Sequence, residues 1–465
     1  MTSEHLPVAA DGPSAPDNVI AYADQAMFMA ARDAGQQACS QAIWIYEHPL
    51  DLEGVRRFYD NFTHGLMARR IEPSPLPFGR HRWVAASGPQ HNYEISDRPR
   101  NRDELFDWAD EQVALPLDPE HGPGWRMGVQ PFTDGSTAVS LLWSHCVSDG
   151  GAAVIAVLEA VKGKTRNLNY PPPRSRTRRQ IIIADLRQAA RDTPEMLRTI
   201  GKAIKLAYGR RHELRGPIGP KSESAVARSS GGSDSPLVPS TAVFLDIADW
   251  DARAEALGGN SFSLVAGFMG RLAANLNRVR ASDGVVSLII PVNERESFDE
   301  IGANVVSIAH VSFDPSELAT DLTVARNAIR DGLRKAREVP DEMAELLPAI
   351  PLLPKRALAK VVDVAFGFST DLPSSCSNMG DLPSDLQRVD GTEAEYFCFR
   401  GIDRDVKRDD LDRRGGLLTV TTGRFAGKLS LSVISYQPGG DNTHDGLRGA
   451  IRKTLGEFSL TGTVL

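Results

Sequence analysis

Ser144-His145-Cys146-Val147-Ser148-Asp149-Gly150 places an imidazole, a carboxylate four residues later and a glycine where the sequence turns from strand-like to helix-like. Ahead of it, residues 136–143 (Ser-Thr-Ala-Val-Ser-Leu-Leu-Trp) are apolar and partly alternating, the pattern of a strand. Behind it, residues 151–160 are rich in Ala, Val and Ile and read as a buried helix. Asp134-Gly135 is a turn signal, so Trp125–Gln130 should form the first arm of a hairpin. A neutral imidazole can take a proton from a hydroxyl, amine or thiol near neutral pH. The carboxylate could orient that ring, or pair with an arginine and hold the loop in shape. Glycine permits a tight turn or a close approach. The bland alternative is a packed histidine beside a turn.

The 465-residue chain is long enough for two or three domains. Hydrophobic residues make up 41% and charged residues 24%, the balance of a soluble globular protein. A net charge of -7 gives no support to a nucleic-acid partner. Cys39, Cys146, Cys376 and Cys398 are scattered without metal-like spacing, so a reduced, cytoplasmic setting is expected. His121, His145 and Cys146 lack a fourth ligand for zinc, and no metal is expected. Neither a signal peptide nor a membrane-spanning apolar run is apparent.

Residues 1–19 read as a flexible tail. A short helix around Tyr22–Met29, a strand at 38–46 and a helix opened by Asp51 as N-cap precede the hairpin. Residues 171–215 carry Arg174, Arg176, Arg178 and Arg179, then a basic helix. That stretch is either a solvated helix face or a patch for a phosphorylated cofactor tail, an acidic carrier domain or an anionic lipid surface. Residues 216–240, with Gly216-Pro217-Ile218-Gly219-Pro220 and a Ser/Gly run, form the linker candidate. Beyond it come strands near 242–245, 285–290, 305–313, 395–399, 417–421 and 429–434, with helices at 262–276 and 318–336. Residues 346–368 are apolar but broken by prolines. The expected fold class is α+β, in two halves: 20–215, carrying the histidine string, and 241–465.

With these segments in order, the chain resembles the CoA-dependent acyltransferases that carry an HxxxDG motif, a superfamily that includes chloramphenicol acetyltransferase-like enzymes and peptide-synthetase condensation domains. Within it the chain looks most like the bacterial wax ester synthase/diacylglycerol acyltransferase branch. The resemblance rests on Asp24-Gln25-Ala26-Met27-Phe28, Pro49-Leu50-Asp51-Leu52, Pro123-Gly124-Trp125-Arg126, Gly216–Pro220, Ile290–Arg295 with Gly302–Ser307, and Cys376-Ser377-Asn378-Met379-Gly380. Three positions depart from the branch. Ser144 stands where it often has a first histidine. Phe262-Ser263 replaces an Asn-Asp pair, and Met379-Gly380-Asp381 follows Asn378 in place of Val-Pro-Gly.

The resemblance implies two chloramphenicol acetyltransferase-like halves, an α/β sandwich with mixed sheets, flanking helices and a channel between the halves. It implies acyl transfer from acyl-CoA, or from an acyl carrier protein, to a hydrophobic hydroxyl acceptor such as a fatty alcohol or glyceride, with no permanently bound cofactor. A natural-product hydroxyl or amine acceptor and a non-catalytic relative are the alternatives. Peripheral contact with a membrane or lipid droplet is also left open. His145 would be the general base, with no covalent enzyme intermediate. Asp149 would turn away and pair with Arg295, supported by Gly150. Ser144, Ser377, Asn378 and Trp125 are the candidates for substrate or oxyanion contacts. The local alternatives are a surface arginine at 295, an Asx-type turn at Asn378 and plain core for Trp125 and Trp143. Cys146 is an alternative nucleophile, or an inert buried thiol.

Overall fold

The computed structural model describes residues 17–35, 37–86, 92–209, 236, 238–339, 344–352 and 372–465. Most of the expected tail, most of the expected linker and residues 353–368 of the proline-broken segment lie outside the described residues.

The first half contains α1 (Tyr22–Ala34), β1 (Gln37–Tyr46), α2 (Leu52–Phe62), β2 (Arg69–Glu72), β3 (Arg82–Ala85), β4 (Tyr93–Ile95), α3 (Leu105–Ala114), β5 (Trp125–Pro131), β6 (Thr137–Ser144), α4 (Gly150–Val161) and α5 (Arg178–Gly209). The second contains β7 (Ser240–Asp246), α6 (Ile247–Ala256), α7 (Ser261–Asn275), β8 (Val286–Asn293), β9 (Val306–Phe313), α8 (Thr323–Glu338), β10 (Ser374–Asp381), β11 (Tyr396–Arg404), α9 (Arg408–Arg413), β12 (Leu417–Phe425), β13 (Lys428–Tyr436), α10 (His444–Glu457) and β14 (Thr463–Val464).

Two mixed sheets carry the architecture. The first runs β11-β1-β6-β5-β4 and the second β14-β7-β13-β12-β10-β8-β9. β5 and β6 form the expected hairpin, in register from Trp125↔Trp143 to Pro131↔Thr137. At its turn Gly135 takes φ +87, and the Asp134 carboxylate accepts from Ser136 N at 3.0 Å. Every residue of β6 is buried, so the strand that delivers His145 is covered on both faces.

Local capping explains the helix starts. Asp51 Oδ1 accepts from Glu53 N at 3.0 Å, which opens α2 with Val55, Phe58 and Phe62 on its buried face. Asn260 and Ser263 form a reciprocal capping box on α7. Ser263, one of the positions that departs from the resemblance, is thus occupied by a helix terminus.

One connection was not expected. β11 belongs by sequence to the second half, yet it pairs antiparallel with β1, from Gln37↔Arg404 to Ile45↔Tyr396. Its aromatic side chains join the two sheets. The Phe397 ring lies 5.1 Å from Trp44 and 5.9 Å from Phe425, centroid to centroid. The core around the first sheet therefore includes Ala242, Phe244 and Phe425 from the second.

Candidate active site

β6 ends at Ser144, and the chain turns through His145–Val147 before Asp149 opens α4. His145 N donates to Ala38 O of β1 at 2.9 Å, extending the sheet ladder by one residue past the strand. Trp143 Nε1 donates to Ser148 O at 3.1 Å, and Cys146 N to Ser144 Oγ at 3.3 Å. These bonds hold the backbone of the turn while the His145 side chain stays half-buried. Its Nδ1 is buried and has no hydrogen-bond partner among the described residues.

Asp149 is the anchor of this turn. Its Oδ1 accepts from Ala152 N at 2.8 Å and caps α4. Its Oδ2 accepts from Arg295 Nη1 at 2.6 Å and from Val305 N at 2.9 Å. Asp149 N donates to Ala303 O at 2.8 Å. Arg295 then donates from Nη2 to Gly302 O at 2.8 Å. Both side chains of the pair are only 3% exposed. A buried ion pair persists only where hydrogen bonds complete it, and here they come from the loop ahead of β9. No hydrogen bond among the described residues joins the Asp149 carboxylate to the imidazole; both its oxygens are taken up by the fold.

Three further residues hold the turn, and the sequence assigned none of them a role. Arg69 donates from Nε and Nη2 to Val147 O at 3.1 and 2.8 Å, and from Nη1 to Ile301 O at 2.5 Å. It also lies 4.6 Å from the Trp83 ring centroid. Asn304 Nδ2 donates to His145 O at 2.9 Å and to Asp24 Oδ1 at 2.8 Å. Burial pushes the Asp24 carboxyl up to about 6, against the opposing pull of the Asn304 hydrogen bond and the Arg69 charge. Asp24 and Asn304 stood inside the quoted motifs, but Arg69 gave no local signal. Its partners are backbone carbonyls 78 and 232 residues away.

The remaining candidates are placed as follows. Ser144 is fully buried, with its hydroxyl turned into the loop. Trp125 is 1% exposed and packs edge-on against Phe62 at 4.7 Å, inside the core. Burial pushes the Cys146 thiol up to about 12, which keeps it protonated and a poor nucleophile. Asn378 is exposed on β10, and its Oδ1 accepts from Gly380 N at 3.0 Å, an Asx-type geometry. Neither Ser377 nor Asn378 shares a hydrogen bond with the His145 turn among the described residues. Met379 is the residue of that strand that reaches it: a Cβ on Gly150 would lie 2.9 Å from Met379 Cε. Two cavities, one lined by Arg400, Ser240 and Ile434 and the other by Arg102, Arg448 and Arg452, do not include His145.

The first condensation domain of the calcium-dependent antibiotic synthetase superposes with a TM-score of 0.56 at 14% identity, over 96% of this chain and 97% of that one. The wax ester synthase/diacylglycerol acyltransferase from Marinobacter aquaeolei VT8 gives 0.54 at 13% identity, over 95% and 98%. The chain has the CoA-dependent acyltransferase fold. A nonribosomal peptide synthetase also matches, with a TM-score of 0.53 at 15% identity over 98% of this chain, which spans only 44% of that longer one. No protein-family model and no curated protein sequence matches. At these identities the likeness is one of fold.

Proposed function

We propose that the protein is an acyltransferase that moves an acyl group from an acyl-CoA thioester to a hydroxyl acceptor, with His145 as general base. The observation that carries this reading is the braced turn. The Asp149–Arg295 pair, Arg69 and Asn304 fix the backbone on both sides of His145, while its imidazole stays half-buried, with no hydrogen-bond partner on Nδ1 among the described residues. In the proposed reaction the acceptor oxygen attacks the thioester carbonyl carbon as Nε2 takes its proton. The tetrahedral intermediate then expels the thiolate, which recovers that proton from the imidazolium. No covalent enzyme intermediate is required, because the thioester is already activated. Asp149 acts as a brace in this scheme, and Cys146, a buried thiol, takes no part.

The condensation-domain likeness supports a second donor, a thioester carried on a carrier protein, and with it amine or natural-product acceptors. The wax ester synthase likeness supports lipid hydroxyls. A mass-spectrometric screen tests both: acyl-CoAs and acyl-loaded carrier protein against fatty alcohols, glycerides and amines, with His145→Ala as control. The proposal expects ester or amide product from the wild type alone. Product formed equally by His145→Ala would remove the base from the mechanism, and no product from any pair would leave a non-catalytic fold.

A further inference from the structure

α10 buries one stripe in its own half and turns a neighbouring face to a cleft shared with the first half. Thr443 Oγ1 accepts from Gly446 N at 3.1 Å and opens the helix, and Leu447, Ile451 and Leu455 form the buried stripe. Arg448 and Arg452 lie four residues apart and so share a face beside it. Arg102, from the first half, lines the same cleft. Its Nη1 donates to Ser136 Oγ at 2.7 Å and its Nη2 to Glu47 Oε1 at 3.1 Å, which fixes the side chain. The cleft measures about 410 Å³, within the size range of small-molecule sites.

The apolar part of the lining is equally fixed. Leu105 is 2% exposed, and Val464 pairs with Val243 of β7. Leu465 N donates to Ala242 O at 3.0 Å, and Leu465 O accepts from Arg448 Nε at 3.2 Å. Two carboxylates complete the wall. Asp103 is exposed, and Asp445, its side chain 93% exposed, accepts from Arg448 Nη1 at 3.0 Å. A guanidinium has five N–H donors, so Arg102 and Arg448 keep several that no described residue takes. Arg452 has neither a hydrogen bond nor an ion pair among the described residues.

We infer that this cleft binds a phosphorylated small molecule, its phosphate on Arg102, Arg448 and Arg452 and its organic body against Leu105 and Val464. Guanidinium forks match phosphate oxygens in pairs, and three that converge from two elements suit a group with several acceptor oxygens. The polar lining is a poor host for an acyl chain, which has no acceptor to offer these donors. The cleft is also distinct from the His145 turn. Ser136, which holds Arg102, precedes β6, and His145 follows it, so the strand alone separates the two by about 30 Å. The inference goes beyond the acyl-transfer reading and does not rest on it.

Titration calorimetry with ADP and with inorganic pyrophosphate tests it without any activity readout. The wild type should bind ADP at one site per chain, more tightly than pyrophosphate, and high salt should weaken both. Arg452→Gln should weaken ADP binding about tenfold. Arg452 is exposed, so the melting temperature of that variant should hold. His145→Ala should bind ADP as the wild type does, which keeps this result separate from the fate of the acyl-transfer reading. Acyl-CoA added as competitor identifies the source of the phosphate: displacement of ADP names the donor's own nucleotide, and retention names a free phosphate ester. Three results would overturn the inference: no ADP binding by the wild type, undiminished binding by Arg452→Gln, or ADP bound no more tightly than pyrophosphate.

Discussion

Asp149 and His145 stand four residues apart, but they face opposite demands. The carboxylate is buried and every hydrogen bond it makes is structural, whereas the imidazole is half-buried and its Nδ1 has no hydrogen-bond partner among the described residues. His145→Ala should therefore lower kcat by a factor on the order of 10²–10⁴ and leave the melting temperature nearly unchanged. Asp149→Ala should cost about 3–5 kcal/mol, because it strands the Arg295 guanidinium and removes the cap of α4. Denaturant titration of both variants checks this; equal stabilities would count against the brace. Asp24 adds a pH dependence. Its folded value of about 6 lies above the ordinary 3.8, so between those values the folded state holds the extra proton. Stability from this group is greatest below about pH 4, falls as pH rises through 6 and is flat above. The difference amounts to about 3 kcal/mol. Asp24→Asn removes that dependence while keeping an acceptor for Asn304. Its stability relative to wild type should rise from pH 4 to pH 7, and a difference that stays constant over that range would contradict the assignment.

At the scale of elements, what could be read from sequence was what short-range chemistry dictates. The hairpin was legible because Asp134-Gly135 separates two apolar runs, and α2 because Asp51 supplies an acceptor at the right offset. β8, β9, β12 and β13 followed from runs of β-branched and apolar residues. β10 was legible only as a Ser-Asn motif, since Ser374–Asp381 is largely small and polar and its strand character comes from parallel pairing with β8 and β12. The start of α4 gives a prediction of the same kind. A Cβ on Gly150 would press on the flexible end of Met379, whereas one on Gly151 would sit 3.0 Å from Arg295 Nη1, which its hydrogen bonds hold in place. Gly151→Ala should thus cost about 1–3 kcal/mol and Gly150→Ala less. Thermal melts of the two variants decide between this ranking and its reverse.

At the scale of the whole molecule, the question is whether the two halves unfold separately, as the parts of a long chain often do. β11 argues that they do not. The second half cannot melt without withdrawing a strand from beside β1, and with it Phe397 from the Trp44 contact. Arg400 reinforces the join. It is 1% exposed, donates from Nε to Gln41 Oε1 at 2.9 Å, pairs with Asp110 at 2.7 Å and hydrogen-bonds Ser240 of β7. The turn that carries His145 is shared as well, since Arg295, Ala303, Asn304 and Val305 all come from the second half. Cooperative unfolding is therefore expected, with both cores lost together. Trp250 lies in the second core and Trp44, Trp83, Trp108, Trp125 and Trp143 in the first, so fluorescence of a Trp250→Phe variant reports the first half alone. Its midpoint in denaturant should coincide with the far-UV circular dichroism midpoint of the same protein. Arg400→Met, which leaves Asp110 without its cation, should move both midpoints down together. Two resolved transitions in the parent fold would mean that the shared strand and the shared turn do not couple the halves.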